Sequence, residues 1–292
     1  MTQPTYLSPS SVEEALSLLF RYGDKAKVIS GGTDLLVQMK RKVLLPDFVI
    51  SLGSIRDLDT IKYDQTKGLM IGACTTVGNI THSSTIRGKF NLLVQGASLL
   101  GTPSIQNQAT IGGNLCNASP SADIAPPLIV LGAMAKFAGI DGEKIVPIED
   151  FFVGPSATIM KHHQLLLEIQ IPNPPSHSGG VYAKQTRGRG ADLAVVGVAA
   201  FVVMDRGTIR EVRIALGAVA PTPIRAKKAE GILRGSTINE KVLEESSQAA
   251  AYESKPIDDI RSSADYRRTL VAVLTKRAVV QAVQQAQSEA SS

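Results

Sequence analysis

The first fifty residues place one amphipathic segment between short apolar runs. In "SPSSVEEALSLLFRYG", residues 8–23, apolar positions recur at helical spacing, two glutamates follow the serines and Gly23 comes last. This pattern predicts a helix capped by Ser10 or Ser11. The runs "KVIS" and "DFVISLG" predict strands on either side of "GGTDLLVQMK", which predicts a glycine turn and a second amphipathic segment. Strand, helix and strand in this order favour an α/β subdomain.

From about residue 56 the pattern changes to short β segments. "LDTIKYD" and "GLMIGACTTVGNI" predict strands joined by a turn at Gly68, and helices are predicted around 79–100. "LIVLGAMAKFAGIDG" predicts a buried helix or strand that leads into a hairpin turn at Asp141 and Gly142. "HQLLLEIQIP" then predicts a strand that Pro172 closes.

The run "PNPPSHSGG", residues 172–180, predicts a linker, and we place a domain boundary near 178. Beyond it, "VYAKQTR", "AVVGVAAFVVM" and "TIREVRIALGAV" predict three strands, with "DRG" as a hairpin turn between the last two. Three helical segments follow. The last, "SSADYRRTLVAVLTKRAVVQAVQQA", begins with the capping-box spacing of Ser262 and Asp265.

Composition excludes several classes of protein. With 43% hydrophobic and 20% charged residues, the 292-residue chain is globular, and its net charge of +5 is spread apart from small clusters at 40–42 and 225–228. Few aromatics and no tryptophan argue against nucleic-acid binding. The apolar run at 193–204 is too short to cross a bilayer, so no membrane anchor is expected. Cys74 and Cys116 lack disulfide or zinc spacing, which fits a cytoplasmic protein.

Two glycine stretches are candidates for phosphate binding. Gly31 and Gly32 follow a strand, and Gly112 and Gly113 follow an apolar residue, so each pair can present backbone N–H groups to an anion, or simply form a turn. Neither matches the dinucleotide or P-loop signature. Two such turns fit a dinucleotide, because a pyrophosphate needs donors from both sides. Asp123 then offers an acceptor for a sugar hydroxyl, with a helix cap or loop carboxylate as the alternative.

The stretches "KVISGGTDLLVQMK" and "TIGGNLCNASPSADIAPPLIVLGA" resemble the FAD-binding medium subunits of the molybdenum hydroxylase family, of the carbon monoxide dehydrogenase and xanthine dehydrogenase type. The tail "SADYRRTLVAVLTKRAV" is similar to that family's C-terminal helix, and the resemblance covers the whole chain. It implies an α+β fold. Residues 1–177 would form a vanillyl-alcohol-oxidase (PCMH)-type FAD-binding domain, with subdomains of about 1–55 and 56–177. Residues 178–292 would form a C-terminal domain with a three-stranded antiparallel sheet and a helical bundle.

The resemblance also implies the flavin contacts. Backbone N–H groups of both glycine stretches would hold the pyrophosphate, Asp123 the sugar portion, and the Lys184 ammonium would lie near the ring, with Tyr182 as a ring neighbour. Leu100 and Leu166 also suit core positions in a helix and a strand, respectively, and Lys184 also suits an exposed position on a strand. The implied FAD-binding residues are Val28, Ile29, Ser30, Gly31, Gly32, Thr33, Asp34, Leu35, Leu100, Thr110, Ile111, Gly112, Gly113, Asn114, Asp123, Leu166, Tyr182 and Lys184.

The same resemblance implies partner subunits. Two isolated cysteines cannot ligate a four-cysteine cluster, so this chain is not expected to be the whole oxidoreductase. We expect a large molybdopterin subunit, a small subunit with 2Fe-2S clusters, a dimer of such heterotrimers, and an external electron carrier such as NAD or a quinone. No catalytic acid, base or metal ligand is predicted, and His162 and His163 are interpreted as a loop pair. A stand-alone flavin oxidase or reductase, or a scaffold without flavin, are the alternatives, and the substrate stays open.

Overall fold

A computed structural model describes residues 3–188 and 191–289 of the chain. The first subdomain is a parallel sheet with helices beside it. Its elements are β1 (Thr5–Leu7), α1 (Val12–Tyr22), β2 (Ala26–Ile29), α2 (Leu35–Lys40) and β3 (Phe48–Ser51). The strand order is β1–β3–β2. The predicted α/β arrangement is therefore confirmed. Strand β1 was not predicted, because three residues are too few to show a periodic pattern.

Helix α1 shows how local sequence sets an element's bounds. The hydroxyl of Ser11 accepts a hydrogen bond from the Glu14 N–H at 3.2 Å, and Gly23 ends the helix with a positive φ of 52°. The helix buries Ala15 and Leu19 in a small core shared with Ile50 of β3. The predicted cap and stop are both confirmed.

The second subdomain is an antiparallel sheet with several short helices. Its elements are β4 (Ile61–Asp64), β5 (Gly68–Gly72), α3 (Val77–His82), α4 (Ser84–Lys89), α5 (Asn91–Ser98), α6 (Pro103–Gln106), α7 (Ile111–Asn117), α8 (Ala125–Val130), β6 (Met134–Gly139), β7 (Gly142–Pro147), β8 (Phe152–Gly154), β9 (Ala157–Thr158) and β10 (Leu165–Ile171). The main sheet has the order β4–β5–β10–β6–β7, and β8 pairs with β9. The predicted turn at Gly68 is present, and the hairpin predicted to turn at Asp141 and Gly142 turns at Ile140 and Asp141.

The C-terminal domain is an antiparallel sheet covered by helices. Its elements are β11 (Ser178–Gln185), β12 (Val196–Asp205), β13 (Thr208–Gly217), β14 (Ile224–Arg225), α9 (Lys227–Leu233), α10 (Glu240–Glu253) and α11 (Ala264–Glu289). The order β11–β12–β13–β14 adds a two-residue strand to the three predicted ones. At the start of α11, the Ser263 hydroxyl accepts a hydrogen bond from the Tyr266 N–H at 3.3 Å. The capping residue is therefore one position after the predicted cap Ser262.

Strand β12 is covered on both faces. Val198 and Val202 lie in the core beneath the C-terminal helices, whereas Ala199, Phe201 and Val203 belong to the core of the second subdomain. A strand buried on both sides reads as a continuous apolar run, which is the pattern seen in "AVVGVAAFVVM". The sheet is thus packed between its own helices and the N-terminal domain, and β11 runs beside the loops that carry the predicted site.

Candidate cofactor site

The first glycine stretch forms an open loop between β2 and α2. None of the backbone N–H groups of residues 30–34 has an acceptor within the described ranges 3–188 and 191–289. Gly32 turns the chain with a φ of +72°, a conformation that glycine adopts without strain. Consecutive N–H groups at such a turn form a concave site for an anion. The local geometry therefore suits a phosphate group.

The second glycine stretch is a helix start and not an open turn. Thr110 precedes α7 as its N-cap, and the backbone donors of residues 111–114 are already bound within the chain. The bonds run from Ile111 N–H to Thr75 O at 3.0 Å, from Gly112 N–H to Ala73 O at 2.8 Å, from Gly113 N–H to Thr110 Oγ1 at 3.1 Å, and from Asn114 N–H to Thr110 O at 2.9 Å. The expectation of open backbone donors at 111–114 is therefore corrected, because the threonine cap turns this glycine pair into helix.

The two glycine stretches lie against each other in space. A Cβ atom on Gly31 would sit 1.9 Å from the carbonyl oxygen of Gln108, so the first loop touches the segment that leads into α7. Within α7, the Oδ1 atom of Asn114 is buried and has no hydrogen-bond partner among the described residues. Buried polar atoms are nearly always hydrogen-bonded, so this amide is available to a bound molecule.

Asp123, Tyr182 and Lys184 form a buried cluster. The Lys184 ammonium donates to Asp123 Oδ2 at 2.8 Å and to the Leu99 carbonyl oxygen at 3.0 Å, and the Tyr182 hydroxyl donates to Asp123 Oδ1 at 2.8 Å. The Lys184 side chain is 4% exposed, so it is not the surface lysine that its strand position also allowed. Asp123 does not cap the following helix α8, whose N-cap residue is Ile124. Tyr182 and Lys184 on β11, both expected near the flavin, are thus hydrogen-bonded to the predicted carboxylate of Asp123.

Burial dominates the electrostatics of this cluster. Loss of water raises the pKa of the Asp123 carboxyl, and the Lys184 charge and the hydrogen bonds from Lys184 and Tyr182 oppose that rise. Burial also raises the pKa of the Tyr182 phenol well above its ordinary value, and the neighbouring Asp123 adds to the effect. Tyr182 is therefore a hydrogen-bond donor at neutral pH.

The other predicted residues lie at the edges of this region. Val28 and Ile29 end β2, and Leu166 is buried in β10. Leu100 lies in the turn after α5 and packs partly buried against the core, so it is not inside a helix. The pattern gave no signal for two carbonyl oxygens that shape the site, those of Leu99 and Gln108, because backbone acceptors have no sequence signature.

Four further features of the described residues concern metal binding, the membrane, the cysteines and the histidine pair. No group of three or more histidine, cysteine, aspartate or glutamate side chains in residues 3–188 and 191–289 is placed to hold a metal. Across the same ranges, no helix is both long enough and apolar enough to cross a membrane. Cys74 and Cys116 are free thiols. The rings of His162 and His163 lie 4.9 Å apart in a surface turn.

Two known proteins are similar to this chain over nearly its whole length. The carbon monoxide dehydrogenase medium chain of Hydrogenophaga pseudoflava is 31% identical over 274 residues, covering 94% of this chain and 95% of that protein. The xanthine dehydrogenase FAD-binding subunit of Escherichia coli O157:H7 is 30% identical over 280 residues, covering 96% of each. Both relatives span nearly the whole chain, so the similarity includes both domains.

Solved structures match the fold equally well. A structure of carbon monoxide dehydrogenase from Hydrogenophaga pseudoflava, which lacks the Mo-pyranopterin moiety of its cofactor, has a TM-score of 0.93 at 32% identity and covers 96% of this chain and 97% of that chain. Quinoline 2-oxidoreductase from Pseudomonas putida 86 has a TM-score of 0.91 at 28% identity and covers 98% of this chain and 99% of that chain. The predicted α+β fold is confirmed.

Family sequence patterns match both parts of the chain. Residues 2–174 match the family described as "FAD binding domain in molybdopterin dehydrogenase". Residues 181–282 match the family described as "CO dehydrogenase flavoprotein C-terminal domain". The chain therefore belongs to the family of FAD-binding flavoprotein subunits of molybdopterin dehydrogenases.

Proposed function

We propose that this chain is the FAD-binding electron-transfer subunit of a heterotrimeric molybdenum hydroxylase-type oxidoreductase. In this role it passes electrons between iron-sulfur clusters on a partner subunit and an external carrier. The observation that carries the proposal is the open row of N–H donors at residues 30–34, on a loop that touches the segment leading into α7. A pyrophosphate satisfies such donors and brings the charge that they attract.

The residues present fit FAD. The loop at 30–34 would hold the pyrophosphate, the unpaired amide of Asn114 would bind a further polar group, and Asp123 would accept from a hydroxyl of the sugar portion. Lys184 has three N–H donors, of which Asp123 and the Leu99 carbonyl use two, so one remains to point at the cofactor. Bound FAD supplies reversible one- and two-electron transfer.

The protein's own contribution is electrostatic and steric. Lys184 is held by Asp123 in a site from which water is largely excluded, where a fixed ammonium favours negative charge nearby. Gly31 keeps the first loop against Gln108, so the phosphate donors stay in one orientation. These groups position a cofactor and tune its potential without a catalytic acid or base.

The names of the relatives support a role within a larger complex. Alongside the medium chains, one relative at 30% identity is the 6-hydroxypseudooxynicotine dehydrogenase complex subunit alpha of Paenarthrobacter nicotinovorans. In the proposal, a large molybdopterin subunit and a small iron-sulfur subunit complete the enzyme, as a dimer of heterotrimers that uses NAD, a quinone or another carrier. The relatives are named for carbon monoxide, xanthine and 6-hydroxypseudooxynicotine chemistry. In the proposal, the large subunit selects the substrate.

The test is an absorption spectrum of the purified chain with the released chromophore identified. We expect FAD at near equal molar ratio. Asn114→Ala should weaken FAD binding about tenfold, the effect of one lost hydrogen bond, while the cofactor-free protein melts as before because the Oδ1 atom has no hydrogen-bond partner among the described residues.

A matched asparagine serves as the control for that variant. Asn239 caps α10 by accepting from the Val242 N–H at 3.0 Å, so Asn239→Ala should lower the melting temperature and leave FAD affinity unchanged. A folded wild-type chain that stays colourless after incubation with FAD would refute the proposed function.

A further inference from the structure

The buried Asp123 carboxylate is held from two sides by one strand. Its oxygens accept one hydrogen bond each, from the Tyr182 hydroxyl and the Lys184 ammonium, both at 2.8 Å. Tyr182 and Lys184 stand two residues apart on β11, so their side chains project from the same face of the sheet. The carboxylate, on the loop before α8, is therefore fixed by the C-terminal domain.

The same cluster fixes a third segment. Lys184 also donates to the carbonyl oxygen of Leu99, the residue that follows α5. A cation at a helix C-terminus is favourable because the last carbonyls carry partial negative charge. The ammonium thus joins the end of α5, the loop that carries Asp123 and strand β11 at one point.

The phenol of Tyr182 reaches Asp123 through a slot that the neighbouring strand leaves open. In the antiparallel register, Gly197 of β12 pairs with Lys184. A Cβ atom on Gly197 would lie 2.5 Å from the Tyr182 hydroxyl oxygen and 3.2 Å from the ring. Any side chain at position 197 would therefore displace the phenol.

A carboxylate in such a place depends on its hydrogen bonds. Removal from water disfavours its charged form, and each donor that is lost leaves an oxygen unpaired in a region of low polarity. The exposed fraction of the Asp123 side chain is 5%, so water cannot readily replace the phenol. Without Tyr182, the carboxylate is free to rotate about the single contact with Lys184.

We propose that Tyr182 is a positioning residue of the flavin site. Its phenol, in the slot left by Gly197, holds Asp123 so that the carboxylate and the Lys184 ammonium present their remaining acceptor and donor sites to the cofactor. This role rests on the proposed FAD site, and it differs from direct contact between the Tyr182 ring and the flavin. It makes the C-terminal domain part of the binding site.

The first test compares FAD affinity in single-atom variants of the full chain. Tyr182→Phe keeps the ring and removes the hydroxyl, and it should raise the FAD dissociation constant about tenfold. Tyr252→Phe, at a tyrosine that is 79% exposed, is the matched control and should change nothing. Gly197→Ala should reproduce the loss with Tyr182 intact. The two changes should not add in the double variant, because both act on the same hydrogen bond.

The second test uses pH to separate positioning from general destabilisation. Lys184 and Tyr182 are the charged and titratable groups that oppose the burial of Asp123, so removing the phenol raises the pKa of this carboxyl further. FAD affinity, measured by fluorescence quenching, should fall as Asp123 protonates, and in Tyr182→Phe the fall should begin at higher pH. Asp123→Asn should remove this acid limb.

Each outcome decides between the two proposals. A wild-type chain that binds no FAD overturns both the proposed function and the positioning role. A wild-type chain that binds FAD, with a Tyr182→Phe variant of equal affinity and equal pH profile, overturns the positioning role alone. A Tyr182→Phe variant that only melts earlier, or that loses affinity equally at all pH values, shows a structural role and also overturns it.

Discussion

The two glycine pairs have similar sequences and opposite structures. Gly31 and Gly32 lie in a loop with open backbone donors, whereas Gly112 and Gly113 lie in the first turn of α7 with their donors bound. The N-cap residue of the helix that each stretch enters accounts for part of the difference. Thr110, two residues ahead of Gly112, caps a helix, and no such cap acts at the start of α2, where Asp34 makes no side-chain bond to the helix.

Within each pair, one glycine is required because another backbone segment approaches closely. A Cβ on Gly31 would collide with Gln108, and a Cβ on Gly112 would lie 2.6 Å from the carbonyl oxygen of Ala73. A glycine pair in a sequence therefore marks close packing as readily as it marks ligand binding. A pair whose N–H groups are hydrogen-bonded within the chain indicates packing alone, and a pair whose N–H groups are open is also suited to bind a ligand.

The largest effect is expected at the open loop. Gly31→Ala places a Cβ 1.9 Å from Gln108 O, so the loop must move, at a cost of about 3 kcal/mol in unfolding free energy and with loss of FAD binding. Urea denaturation and flavin content measure both. Gly88→Ala on α4 is the control, since a Cβ there would meet no atom of the described residues within 4 Å beyond its own helix backbone, and it should be neutral or stabilising. A Gly31→Ala protein of normal stability would contradict the close contact.

Gly112→Ala should come next. Its Cβ would meet Ala73 O at 2.6 Å and Ala73 Cβ at 2.7 Å, which strains the contact between α7 and the residues after β5, and we expect a loss of about 2 kcal/mol. Thermal unfolding of the cofactor-free chain tests this. If FAD affinity collapses while stability is unchanged, then these donors contact the cofactor and the contrast between the two pairs is wrong.

Thr110→Ala sharpens the contrast by removing the cap. The Gly113 N–H loses its partner at 3.1 Å, and a lost threonine cap costs about 1 kcal/mol. FAD affinity should change less than it does in Asn114→Ala, because the capping hydroxyl serves the helix. Melting temperature and FAD titration measure the two effects. If Thr110→Ala weakens FAD binding more than Asn114→Ala does, then the Thr110 hydroxyl serves the cofactor and not the helix.

The smallest effect is expected for Gly113→Ala. This residue is exposed and helical, and its Cβ would meet the Thr110 Oγ1 atom at 2.9 Å, a contact that a small side-chain shift relieves. The gain in helix propensity offsets that contact, so the stability should stay within about 0.5 kcal/mol of wild type. Denaturation midpoints of Gly112→Ala and Gly113→Ala show whether close packing requires a glycine at position 112 only.

Local signals predicted much of the fold. The serine cap and following glycine bounded α1, and the apolar run "AVVGVAAFVVM" predicted the strand that became β12. Strands β1 and β14 were missed because two or three residues give no measurable period. The cap of α11 was placed one residue early because two adjacent serines offer the same signal.

The site was harder to derive because its contacts join distant segments. Asp123 and Lys184 are 61 residues apart, and the strand pattern allowed Lys184 to be an exposed lysine as well as an ammonium near the flavin. Resemblance to a family named these residues, but not their mutual contact. The approach of Gly31 to Gln108 involves a backbone oxygen and has no trace in the amino-acid pattern.

The double coverage of β12 has a consequence for how the chain is made. A fragment that begins at β11 would present Ala199, Phe201 and Val203 to water as a bare apolar sheet face, the kind of surface that drives aggregation. During translation, the helices and strands that cover this face leave the ribosome before the strand does. The order of the two domains along the chain thus provides a cover for this apolar face of β12 as it emerges.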